Sequence, residues 1–180
     1  MLITDSRRAT RGTSTGVLVP LAEQDRSRWN RAIIAEGMEL AQKAWSPADI
    51  GTYQIQAAIA ALHGSSPSFE QTDWEQIAAL YFALEYIQPS SGPVLLSRVV
   101  AVAHAFGADQ ALELLERLDQ EHQLLQNPLT RQRGHAIRAH LQERVGRIVD
   151  ARVDYLAAAE LTKNDFEIKY LVDRADPNAA

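Results

Sequence analysis

The chain has 180 residues, 46% of them hydrophobic and 23% charged, with a formal net charge of −5 and no cysteine. That size and balance fit one soluble domain with a real core and argue against general nucleic-acid binding. The missing thiols exclude disulfides, thiol catalysis and cysteine-ligated zinc, and Met1 to Arg8 lacks the apolar run of a signal peptide, so a cytoplasmic protein is expected.

Residues 1–20 read as an irregular lead-in, locally basic through Arg7, Arg8 and Arg11, with loop chemistry at Gly12-Thr13-Ser14-Thr15-Gly16. These glycines have neither dinucleotide-fingerprint nor phosphate-loop spacing. A short extended piece is expected from Gly16 to Leu21, ended by Pro20. A helical domain should then fill residues 21–175, with 176–180 as a flexible tail.

The first predicted helix covers 25–44, stopped by Ser46-Pro47. On a helical wheel Trp29, Ile33, Gly37, Leu40 and Ala44 form its core stripe, and Arg26 and Glu36 lie within that stripe. A guanidinium and a carboxylate there must pair or reach a groove. The second helix, 52–63, buries Ile55, Ile59 and Leu62, and its small Ala57, Ala60 and Ala61 let neighbours approach on both sides. Thr72-Asp73 caps a third helix whose stripe is Trp74, Ile77, Ala78, Tyr81 and Leu84.

Pro89-Ser90-Ser91-Gly92-Pro93 is the clearest break. Beyond it, 94–105 is apolar almost all round, which marks a central helix. Gly107 separates it from a fifth, carrying Ala111, Leu112, Leu115 and Leu118. Asn127-Pro128 precedes a sixth at 130–144, and Gly146 turns the chain into a seventh with Ile148, Ala151, Tyr155 and Ala158 on one face. Asn164-Asp165 caps a last helix to about Arg174. No alternating strand stands out, so the fold class is all-α, about seven or eight helices.

Ala139, Gly146, Ala151, Tyr155 and Ala158 follow the small, turn, small, aromatic, small order of a tetratricopeptide repeat. Gly107, Ala111, Leu115 and Leu118 look like an earlier copy, whereas the chain up to about Ile87 reads as a less regular cap. A tetratricopeptide-like array of helical hairpins is the expected architecture.

Five histidines raise metal binding, but His135 and His140 diverge by about 140° on one helix. No metal and no cofactor is expected. Asp25, Arg26, Trp29 and Glu36 are the leading candidates for a polar groove that grips a partner. Against this stands a plain structural reading, with Asp25 as a cap and Arg26 paired to Glu36. Tyr53, Gln54 and Gln56 could line a peptide groove, and His63 shares a flank with Gln56. The groove reading predicts that Arg26→Ala impairs binding more than stability.

Leu2 to Arg8, Leu21 to Trp29, Ile34 to Gly37, Tyr53 to Ala61, Thr72-Asp73-Trp74, Leu80-Tyr81 and Arg98 to Val102 together resemble, in order, a known family. It is the tetratricopeptide-like C-terminal extension of bacterial extracytoplasmic-function RNA polymerase sigma factors. The resemblance implies a non-catalytic regulatory domain that contacts the sigma regions, core RNA polymerase or a signalling partner. The family's sigma regions would precede residue 1, and Met1 falls inside the resembled domain. A fragment, a split gene product or a free-standing relative is therefore expected, with no promoter recognition by this chain alone. Ser97 stands where the resemblance implies Asn, beside the loosened loop Ser90-Ser91-Gly92. The alternatives are a small-molecule-sensing domain and a free-standing oligomerisation domain, a homodimer included.

Overall fold

A computed structural model describes residues 2–12, 19–44 and 50–176. The loop expected at 13–16, the stop at Ser46-Pro47 and most of the expected tail lie outside the described residues. Nine α-helices and no strand occur among the described residues, so the all-α assignment holds. They group into two compact units, 1–87 and 88–180.

In the first unit, α1 (Leu2–Asp5) is followed by a 3-10 turn at Arg8–Thr10, inside the stretch expected to be irregular. Ile3 and Thr10 are buried there, and the Ser6 hydroxyl donates to the Ile3 carbonyl at 2.7 Å. These local bonds and one isoleucine anchor are what order the lead-in.

The first long helix, α2, spans Arg31–Ala44 and so begins later than expected. Arg26–Arg28 is a separate 3-10 turn, capped by Asp25, whose carboxylate accepts from the Ser27 amide at 2.9 Å. Asn30 then accepts from the Ile33 amide at 3.1 Å and opens α2. Two short polar side chains in succession divided the stretch, and the core stripe moved with the boundary. Ile34 is buried, Ile33 half-buried, and Leu40 is 50% exposed.

α3 (Thr52–Ser65) packs on both α2 and α4 (Trp74–Ile87), as its small residues suggested. Asp73 caps α4 by accepting from the Gln76 amide at 2.9 Å, and Ile77, Ala78 and Leu84 are buried. Gly37 and Gly64 admit Ile3 between α2 and α3. A Cβ on Gly37 would stand 2.5 Å from Ile3 Cγ1, and one on Gly64 2.9 Å from Ile3 Cγ2. Gly37→Ala therefore should destabilise the first unit by about 1–3 kcal/mol, despite alanine's better helix propensity. Urea unfolding followed by tryptophan fluorescence reads this, because Trp29, Trp45 and Trp74 all precede residue 88.

In the second unit, α5 (Gly92–Ala105) is central, burying Leu95, Leu96 and Val99 against α6 (Ala108–His122). α7 (Arg131–Arg144) pairs with α8 (Ile148–Glu160), α8 with α9 (Asp165–Ala175), and α5 also touches α7. Gly107 (φ 102°) and Gly146 (φ 80°) make the tight turns before α6 and α8, conformations that side chains oppose. Ala151, Tyr155 and Ala158 are buried as expected, whereas Ile148, at the open start of α8, is 54% exposed. Asn164 caps α9 by accepting from the Phe166 amide at 3.1 Å.

Candidate functional site

The four leading candidates divide between core and surface. Arg26 is only 5% exposed, and its guanidinium points inward. Nη1 donates to the carbonyls of His63 (3.1 Å) and Ser66 (3.0 Å), and Nη2 to Thr72 Oγ1 at 3.1 Å. The guanidinium carbon also lies 4.9 Å from the centre of the Trp29 ring. Trp29, 3% exposed, donates its indole N–H to Thr10 Oγ1 at 3.0 Å. Burial lowers the Arg26 pKa, the charge of Glu70 acting against it. The expected Arg26–Glu36 pair gives way to these carbonyls, which close the end of α3, while Glu36 stands exposed on α2. Arg26 and Trp29 thus clamp the lead-in to the α3–α4 connection. Asp25, also exposed, is the cap of the intervening turn.

The other four candidates split as well. Tyr53 is 81% exposed. Gln54 lines an open groove of about 660 Å³ between α2 and α3, together with Ala35, Met38, Ala58 and Ala61. Gln56 is half-buried. The His63 ring meets Trp74 edge-on, centroids 5.3 Å apart, and belongs to the packing around the α3–α4 connection. Of the eight candidates, Gln54 lines this groove, and Tyr53 stands on the open surface of the first unit.

The second unit holds two polar clusters that the sequence reading did not single out. Asp154 is 3% exposed and accepts from Arg138 Nε at 2.6 Å and Nη2 at 2.7 Å; His135 Nδ1 lies 2.7 Å from its Oδ1. Burial pushes the Asp154 carboxyl up, but the hydrogen bonds and charges of Arg138 and His135 outweigh it and hold the pKa below the usual carboxylate value. The signal was present: Asp154 shares the buried face of α8 with Ala151 and Ala158, where a carboxylate requires partners. In the second cluster, Tyr155 donates to Glu143 Oε2 at 2.7 Å and Arg174 bonds the same oxygen, tying α7, α8 and α9 together. Tyr155→Phe should cost about 1 kcal/mol in urea unfolding, and Arg174→Met should remove most of that difference in a double-mutant cycle.

A second cavity, of about 240 Å³, opens between α5 and α7. Arg133 bridges one end, donating to Ser97 Oγ at 3.2 Å, and Arg144 the other, donating to the Ala103 carbonyl at 3.4 Å. The Ser97 hydroxyl itself donates to the Pro93 carbonyl at 2.8 Å. His104 lines the cavity, and burial together with the charges of Arg144 and His140 pushes its pKa down to about 4. Neutral imidazole therefore faces the cavity at neutral pH.

Residues 1–45 match a family of unknown function, DUF6596. The whole chain is similar to an uncharacterized protein of Rhizobium meliloti (strain 1021), 39% identical over 184 aligned residues. The chain spans 41% of the length of that relative. No solved structure matches. No helix among the described residues is long and apolar enough to cross a membrane.

Proposed function

We propose that this chain is a cytoplasmic, non-catalytic interaction domain. It is related to the C-terminal extension of extracytoplasmic-function sigma factors and modulates transcription initiation by contacting sigma regions or core RNA polymerase. The observation that carries the reading is the pairing pattern of the second unit. Consecutive helices form hairpins through glycine turns, and the leading helices α5 and α7 touch, which is how tetratricopeptide-like arrays stack and expose grooves. Exposed aromatic side chains support it: Tyr53 and Tyr86 are 81% and 88% exposed, and such side chains serve as anchors in protein interfaces. The resemblance noted in the sequence supplies the sigma assignment.

The test is calorimetric titration of the 180-residue chain with the separately expressed sigma regions of a full-length relative. Binding at micromolar affinity or better, about −8 kcal/mol, is the expected result. A folded chain that binds neither those regions nor core polymerase overturns the reading. A concentration-dependent homodimer without either contact would assign the chain to oligomerisation instead.

A further inference from the structure

The cavity between α5 and α7 has a composition that the interaction reading does not use. Its floor is apolar, built from Val100, Ala103, Ala136, Ile137 and Leu141. At one end stand Arg144, His140 and His104, and at the other Arg133. None of the described residues lining it is acidic. The neighbouring carboxylate, Glu143, is taken up by Tyr155 and Arg174.

Arg133 and Arg144 are held across the helix pair by Ser97 and the Ala103 carbonyl, so both are positioned in advance. Each of these bonds uses one of the five N–H donors that a guanidinium carries, and the planar fork suits a carboxylate. Ser97 and Ala103 lie six residues apart on α5, about 9 Å along the axis, the length of a medium acyl chain. An apolar trough of that length, with the Arg144 guanidinium at one end, the Ser97-bonded Arg133 at the other and no acidic side chain among the described lining residues, is complementary to an amphiphilic anion.

We propose that this cavity binds a small apolar carboxylate of medium chain length, its chain along Val100 and Ile137 and its carboxylate on Arg144. The site is independent of whether the chain engages sigma regions. It makes the domain responsive to a metabolite-sized anion.

The experiment is calorimetric titration of the 180-residue chain with octanoate, alongside butyrate, octanamide and a glutamate-rich peptide. Saturable octanoate binding is expected with a dissociation constant below about 1 mM. Octanamide and butyrate should each bind roughly tenfold more weakly, since one loses the charge-assisted bonds and the other most of the apolar contact. Arg144→Gln should weaken octanoate by a similar factor with unchanged far-UV circular dichroism. If that variant misfolds, the octanamide and butyrate comparisons on the unaltered chain decide. Absence of saturation, equal binding of octanamide, or an Arg144→Gln chain that folds and binds as before overturns the proposal. Displacement of octanoate by the glutamate-rich peptide also overturns it, assigning the trough to an acidic protein segment.

Discussion

Arg26→Met should lower the stability of the first unit by about 3 kcal/mol, a large fraction of what such a unit possesses. The substitution keeps an unbranched chain of similar reach but removes every donor. It leaves the His63 and Ser66 carbonyls and the Thr72 hydroxyl without the guanidinium that bonds them, and it removes the cation from the face of Trp29. Buried acceptors stranded in this way each cost on the order of 1–3 kcal/mol. Arg26→Lys should recover only part of the loss, because one ammonium cannot reproduce a planar fork that spans three acceptors. Urea unfolding followed by tryptophan fluorescence measures both variants. A loss below about 1 kcal/mol for Arg26→Met would sink the clamp assignment. This expectation reverses the one drawn from the helical wheel, in which Arg26 served binding more than stability.

Asp154→Ala should cost about 2–3 kcal/mol in the second unit, the upper part of the range for a buried group's hydrogen bonds to charged partners, because the Arg138 left behind is partly exposed. Arg138 would lose both hydrogen bonds and its counter-ion, and His135 its carboxylate, while the Arg138 side chain, 31% exposed, keeps access to water. Hydrogen exchange of α7 and α8 amides, together with urea unfolding by circular dichroism, reads the loss. The same carboxylate sets an acid limb. Its folded pKa lies below the unfolded value of about 3.9, so the unfolded chain binds more protons and stability rises with pH through that window. The contribution is fully present above the unfolded value and is lost as pH falls through the folded one. Glu143 acts in the same sense: burial raises its pKa, but the bonds from Tyr155 and Arg174 lower it further. Asp154→Asn should flatten the acid limb of the stability curve. A limb of unchanged steepness would count against the assignment.

Local chemistry wrote most of the helices into the sequence. Asp73 and Asn164 mark the starts of α4 and α9 because a short polar side chain there satisfies an otherwise orphaned amide. Gly107 and Gly146 mark the turns before α6 and α8 because each adopts a positive φ that other residues resist. The buried stripe of α6 and the central place of α5, apolar almost all round, were equally legible, since apolar periodicity reports what must leave water.

Only tertiary structure decided where the polar groups went. The stretch 25–44 has helical periodicity throughout, yet Asp25 and Asn30 cap separate segments and turn Trp29 and Arg26 out of the helix, Trp29 onto Thr10 and Arg26 onto the α3–α4 connection. The plain structural reading pairs Arg26 with Glu36, yet one continuous helix would hold the two about 15 Å apart. Arg26 instead bonds carbonyls at residues 63 and 66, whose proximity no local spacing reveals. Asp154 likewise depends on two residues of another helix, 16 and 19 positions away, and the α5–α7 cavity exists only because two non-consecutive helices lie side by side. Capping and periodicity act within a few residues of the chain, so the sequence by itself determined the elements. Which buried charge meets which acceptor is settled by packing between distant segments, and the candidate sites followed from that packing.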